Sequence, residues 1–243
     1  MTMIVLAVVV LVVGAAVLVC AAELVARERL RAYLVRMCAG VLGTDPAVTI
    51  DHRSPVLVQL ARRRLSRMDL DTGREGVGPH AILVSGHALG VAPVPDGLHV
   101  DALAATATLR LSWIRHAVDA AQAGADTGGM TVRSVGLLPK KRSVVMTVGL
   151  PVAFGLGVDI RVVIAVSLKH GRLAFRATDL SMPVSVVPVP LPIAWAIDSW
   201  IAQLRPQVIP EALDALTIRA LRWEKKAVTL DLTAEETTVP LTA

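Results

Sequence analysis

Hydrophobic and polar positions divide the chain sharply. Ile4 through Ala22 are nineteen residues without a charge, IVLAVVVLVVGAAVLVCAA, with Gly14 the one helix-weakening residue among them. At 1.5 Å rise per residue such a helix spans roughly 28 Å, close to the ~30 Å hydrocarbon core of a bilayer. Beyond it Leu24, Val25, Leu30, Leu34, Val35, Val41 and Leu42 recur among charged residues at helical spacing, and Gly43 offers a stop. The pattern predicts one helix over about 4–42, half in a membrane and half packed on the body. A second, short helix is predicted at Ser54 to Arg64, with Ser54 as cap, Pro55 in the first turn, and Arg62, Arg63 and Arg64 at its C-terminal end. A third runs from Trp113 to Ala123 and stops at Gly124. A fourth starts at Pro192 and sets Ile193, Ile197, Trp200, Ile201 and Leu204 on one face before Pro206.

The segments between read as antiparallel strands. Val158, Ile160, Val162, Ile164, Val166 and Leu168 alternate with Asp159, Arg161, Val163, Ala165, Ser167 and Lys169, and His170-Gly171 turns the chain into a partner around Arg172 to Leu180. Val144, Met146, Val148 and Leu150 form another apolar face after a turn at Pro139 to Arg142. Val228, Leu230 and Leu232 form a third, entered through Glu224-Lys225-Lys226, and further strands fall near 79–91 and 97–111. The fold class expected is α+β: a long curved antiparallel β-sheet packed on a few helices, with an N-terminal transmembrane helix. Two parts follow: 1–43, an anchor helix continuing into an amphipathic helix, and 44–243, a domain large enough for its own core.

A cleaved signal peptide is the rival for the first segment. The apolar stretch exceeds the roughly 7–15 residues of a typical signal core, and Met1-Thr2-Met3 supplies no basic leader. Val19 stands where a lipidated Cys20 would need a small residue. Arg27, Arg29, Arg31 and Arg36 follow the span, which by the positive-inside rule holds the body in the cytoplasm. Two cysteines, Cys20 and Cys38, make no disulfide framework.

Charge changes the picture more than composition does. The net charge is +5 and the isoelectric point near 9.8, a balance suited to anionic membrane surfaces or nucleic acid. Two Phe and one Tyr leave little to stack on bases, and no nucleic-acid-binding motif is present, so nucleic acid is not the expected partner. Anionic phospholipid in a membrane is, with protein partners unknown. Enzyme chemistry finds no foothold. No Gly-x-Ser-x-Gly elbow occurs, and Ser85-Gly86-His87 lacks a strand-turn-helix setting. Gly155-Leu156-Gly157 is only a fragment of a dinucleotide fingerprint. Asp96, His99 and Asp101 are better read as a solvated edge than as metal ligands. No catalytic residue, metal or cofactor is expected.

Aromatics are only 3% of the chain, and Ala102 to Thr108 puts small side chains on both faces of a strand. Small residues facing inward leave a groove, unless a helix packs closely over them, and a dry apolar groove admits an acyl chain. The candidate groove comprises Val56, Leu57, Leu60, Leu103, Ala105, Ala107, Ile197, Trp200 and Ile201. The candidate headgroup site is Arg62, Arg63, Arg64 and Arg67, whose guanidinium forks suit phosphate; a solvated helix end is the plainer account of that cluster.

Segment 46–70, PAVTIDHRSPVLVQLARRRLSRMDL, resembles the opening of the LmeA-like phospholipid-binding family of actinobacterial cell envelopes. Pro55, Val56, Leu57 and Gln59 match that family's Pro-hydrophobic-hydrophobic-x-Gln turn, although Ser54 and Val56 stand where the family tends to carry aromatics. Asp96-Gly97-Leu98, Pro190-Leu191-Pro192-Ile193 and the hairpin from Leu216 to Leu232 resemble later elements. The resemblance implies a fold like the tubular lipid-binding proteins. It also implies binding, with or without transfer, of anionic phospholipids in support of envelope lipid or lipoglycan assembly, by a single-pass protein with its body on the outer (periplasmic) face of the cell membrane. The alternative expectation is a structural or scaffolding envelope protein with a closed core and a basic partner-binding surface.

Overall fold

The computed structural model describes residues 2–240 apart from 74–77, 79, 96, 125–128, 152–156, 183–184, 189–196, 198, 204–208, 210–212 and 214; side chains at 2–12, 124, 151, 182 and 185–188 are also outside the description. Helix α1 runs unbroken over Thr2–Leu42. The first sheet takes β1 (Ala47–Ile50), β2 (Leu65–Asp71), β3 (Leu83–Val94) and β4 (Gly97–Arg110) as a meander, with the short α2 (Val56–Ala61) between β1 and β2. Helix α3 (Leu111–Gly124) then leads to a second meander of β5 (Thr131–Leu138), β6 (Ser143–Pro151), β7 (Gly157–Lys169), β8 (Arg172–Met182) and β9 (Ser185–Pro188). Finally β10 (Thr217–Trp223) and β11 (Ala227–Pro240) return to the first sheet, whose order is β1-β2-β3-β4-β11-β10.

The molecule is thus a mixed α and β protein with a large antiparallel sheet and few helices. The single long sheet predicted is divided in two, because α3 carries the chain off the end of β4 and β5 opens a new ladder. Two cores result. Leu34 of α1 packs with Val48, Val91, Val100 and Leu230 of the first sheet. Val118 and Ala121 of α3 pack with Val148, Ile160 and Val162 of the second, together with Ile197 and Trp200.

Local chemistry explains most boundaries. Gly43 ends α1 at φ +69°, its N–H bonding the Ala39 carbonyl, and the Leu42 carbonyl accepts from Ile82 N–H just before β3. The helix predicted from Ser54 is shorter at both ends. Pro55 rather than Ser54 is the cap, with no side-chain cap bond, and Arg63 at φ +52° has already left the helix. His170 and Gly171, at φ +50° and +74°, form the two-residue hairpin turn that joins β7 to β8, the conformation such turns require. A Cβ on Gly171 would lie 2.6 Å from the Thr217 methyl, and its carbonyl accepts from Ile218 N–H at 2.8 Å, so this turn abuts β10 of the first sheet.

One level of the first sheet is irregular across four strands. Inward positions run Met68 and Leu70 but Leu65 on β2, Ala88 but Val91 on β3, Ala107 and Leu109 but Leu98 and Val100 on β4, and Leu230, Leu232 and Ala234 but Val239 on β11. The alternation switches phase at Ser66, Gly90, Asp101 and Glu236, which the flanking registers set side by side. Gly90 and Glu236 there have positive φ, and a Cβ on Gly90 would collide with the Asp101 carboxylate. Through the gap Arg64 reaches Asp101 and forms an ion pair. This crease lets one sheet turn both of its halves toward α1.

The fourth helix is described in part, at Ile197 and 199–203; its predicted start at Pro192, with Ile193, and its end at Leu204 and Pro206 lie outside the described residues, as do Asp96, Trp195 and the segment 190–193. Among the described residues no helix is long and apolar enough to cross a membrane. The side chains of 2–12, the first part of the uncharged run, are not among those residues. From Val13 to Ala22 every residue is exposed.

Candidate functional site

The C-terminal half of α1 lies on the first sheet, and the two do not fill the space between them. A cavity of about 140 Å³ remains under Cys38, Val41 and Leu42. Its opposite wall explains it: Gly86 and Ala88 of β3 stand across from Ala105 and Leu103 of β4, with Ala107 one pair further on. A Cβ on Gly86 would sit 2.5 Å from the Ala105 Cβ, so no side chain fits there without moving a strand. Met68, Val84, Leu98 and Leu232 extend an apolar lining to which, among the described residues, His87, itself exposed, brings the one imidazole. An apolar space of roughly 150 Å³ is enough for a benzene-sized guest. The space therefore suits a short stretch of one hydrocarbon chain.

Cys38 faces this space, and burial pushes its thiol up to about 11. At neutral pH it is a protonated, weakly nucleophilic thiol.

The residues expected in a groove go to three places. Leu103, Ala105 and Ala107 line the cavity. Val56 is fully buried in the first core, while Leu57 and Leu60 beside it are exposed. Ile197 and Trp200, with Ile201 packed against them, belong to the second core. None of Arg62, Arg63, Arg64 or Arg67 lines the cavity. Arg64 pairs with Asp101 and Arg67 with Asp69 at 2.8 Å; Arg62 and Arg63 are exposed. Cys38, Val41 and Leu42 were missed as lining because helical spacing says which face of α1 is apolar, not how fully the opposite wall fills it. The signal available was the coincidence of Gly86, Ala88, Ala105 and Ala107 on adjacent strands. His99 and Asp101 are 4.0 Å apart, and among the described residues no His, Cys, Asp and Glu cluster is arranged to hold a metal.

The Pro-hydrophobic-hydrophobic-x-Gln turn has a clear mechanical role. The Gln59 side chain, 3% exposed, donates to the Ser54 carbonyl at 2.8 Å and accepts from Ser66 N–H at 2.9 Å, locking α2 onto the start of β2. From the other side Glu23 of α1 holds the first turn of α2, accepting from Val56 N–H at 2.5 Å and Leu57 N–H at 3.0 Å. The Leu57 and Val56 bonds hold its carboxyl below the usual carboxylate value, helped by Arg27. Because the folded value is the lower one, the attachment is complete above the free-carboxyl value near 4.5 and weakens as pH falls through the folded value. Amide exchange at Val56 and Leu57 is expected to accelerate, relative to intrinsic rates, below about pH 4.5, and to be already fast at pH 7 in Glu23→Gln.

These features define a mixed antiparallel-sheet protein in which a long helix covers a small apolar cavity. No family model matches the chain, and no curated protein or solved structure matches it.

Proposed function

We propose that the protein is a membrane-tethered lipid-binding protein that takes an apolar tail of an anionic phospholipid into the cavity under α1. The observation that carries this is the cavity itself: an all but wholly apolar space walled by glycine and alanine where larger side chains would give a solid core. The tether is the uncharged run Ile4–Ala22, long enough as a helix to cross a bilayer, whose exposed part presents Val13, Val17, Leu18 and Val19. The positive net charge favours anionic lipid. The resemblance of segment 46–70 to the LmeA-like family points the same way, and to a body on the outer face of the membrane. No reacting group is needed, so the protein is proposed as a binder rather than an enzyme.

Geometry constrains the cargo. Cys38 lies sixteen residues beyond Ala22, roughly 24 Å along the helix. One leaflet of a bilayer core is roughly 15 Å deep, so a chain whose headgroup stays at the surface does not reach the cavity. The lipid must leave the bilayer, and for more than a short part of one chain to enter, Val41 and Leu42 must lift from the sheet. The modest volume also favours a second reading, a scaffolding protein with a nearly closed core and a basic partner-binding surface. Cargo separates the two. The full chain in mild detergent, extracted for mass spectrometry, is expected to yield anionic phospholipid, and its removal is expected to speed maleimide labelling of Cys38 in a Cys20→Ser background. No retained lipid and unchanged labelling would leave the scaffold reading.

A further inference from the structure

We infer that α2 is a second membrane contact, seating one end of the body on the anionic surface of the same bilayer that holds α1. The inference rests on the tether proposed above and goes beyond it, because a tether alone puts no part of the body in the headgroup layer.

Position comes first. Glu23 is the first charged residue after the uncharged run, and it is the residue that binds the N-terminal turn of α2. The membrane end of α1 and the start of α2 are therefore at one level. If Ala22 marks the edge of the hydrocarbon, α2 lies in the headgroup layer.

The exposed face of α2 has the composition of that layer. Leu57, Val58 and Leu60 are 36%, 44% and 42% exposed, although Val56 and Gln59 show that the same helix buries its other face well. Leu60 shares a shallow concavity with Leu18, Ala22, Val25 and Arg29, so its apolar surface continues onto α1. Amphipathic helices bury such faces about 5–10 Å into the boundary between headgroups and chains.

Charge selects the occupant. Arg29 lines the concavity with Leu60, Arg53 precedes α2 in the chain, and Arg62 and Arg63 follow it; all four are exposed, and among the described residues no carboxylate pairs with their side chains. Neighbouring Arg64 and Arg67, by contrast, are matched to Asp101 and Asp69. Apolar side chains flanked by unmatched guanidinium groups complement lipid phosphates with acyl chains beneath them. The paired arginines are charge-matched within the protein, and the unpaired ones are left for lipid.

The test uses the full chain in nanodiscs, with an environment-sensitive fluorophore on Val58→Cys in a Cys20→Ser background; Cys38 is buried and labels poorly. Nanodiscs of phosphatidylcholine with phosphatidylglycerol are expected to shield the Val58 probe from an aqueous quencher at least about fivefold better than phosphatidylcholine alone. A probe on Leu89→Cys, on β3, is expected to stay accessible in both. Arg62→Gln with Arg63→Gln is expected to abolish the shielding while the protein still co-elutes with the disc. Co-elution with the Val58 probe equally open to water in both lipids would overturn the docking and leave the tether standing. Elution apart from the discs would overturn both.

Discussion

Ala105→Leu is expected to empty the cavity of its proposed lipid, lowering the phospholipid that co-purifies by about tenfold or more while the melting temperature holds or rises. Ala105 is half-buried on β4, faces Gly86 across the ladder, and lines the cavity beneath α1. Three further carbons placed there occupy much of 140 Å³. Their burial is favourable by roughly 0.8 kcal/mol per carbon, offset by whatever strain the closer packing brings. The substitution thus sets function against stability in a way a merely disruptive change does not. Lipid retained at the wild-type level would place the cargo elsewhere. Lost lipid with a lowered melting temperature would mean that the sheet, not the cavity, had been damaged.

Leu230→Ala is expected to be among the most destabilising single changes, costing about 3 kcal/mol and lowering the melting temperature by roughly 9 °C. Leu230 has no exposed surface, sits on β11 between Ala107 of β4 and Leu221 of β10, and belongs to the core that holds Leu34 of α1. Its small neighbour Ala107 cannot grow to fill the void, so the cavity term is paid nearly in full. Leu89→Ala is the matching control, since Leu89 is 41% exposed on the same sheet; its effect is expected to stay within about 0.5 kcal/mol. Thermal unfolding of both variants in detergent, followed by circular dichroism, checks the contrast.

Periodicity made the elements legible where one pattern governs a whole segment. The alternation from Val158 to Leu168 and the His170-Gly171 turn correspond to β7 and its hairpin, and the 3.6-residue spacing from Leu30 to Leu42 to the packed half of α1. Strand β5 escaped because an irregularity between Val132 and Ser134 breaks its alternation and Gly136 interrupts it further. The crease escaped for a related reason: a phase switch at Gly90 and Asp101 reads as noise in one strand and as design only when four strands are aligned. Division into two sheets depends on which strands pair, and β4 pairs with β11 more than a hundred residues away. The small residues of the cavity wall stood in plain view as Ala102 to Thr108. Their meaning depended on Gly86 lying opposite, which no local pattern reveals. The arginines misled by proximity: four in six positions look like one cluster, whereas Asp101 and Asp69 claim two of them.

The continuity of α1 makes it a keyed shaft. Glu23 engages α2 near the middle of the helix, and Leu34 and Cys38 engage the first sheet further on. The eleven residues from Glu23 to Leu34 bring the helix back to within about 20° of the same face, which is why one side of it serves both contacts. One residue added between them would turn the two engagements roughly 100° out of phase and raise the body by about 1.5 Å. Either α2 or the sheet would then have to let go. The sequence between Glu23 and Leu34 is thus under a constraint of length that its own exposed side chains do not display, and the angle between α2 and the first sheet about the α1 axis is set there.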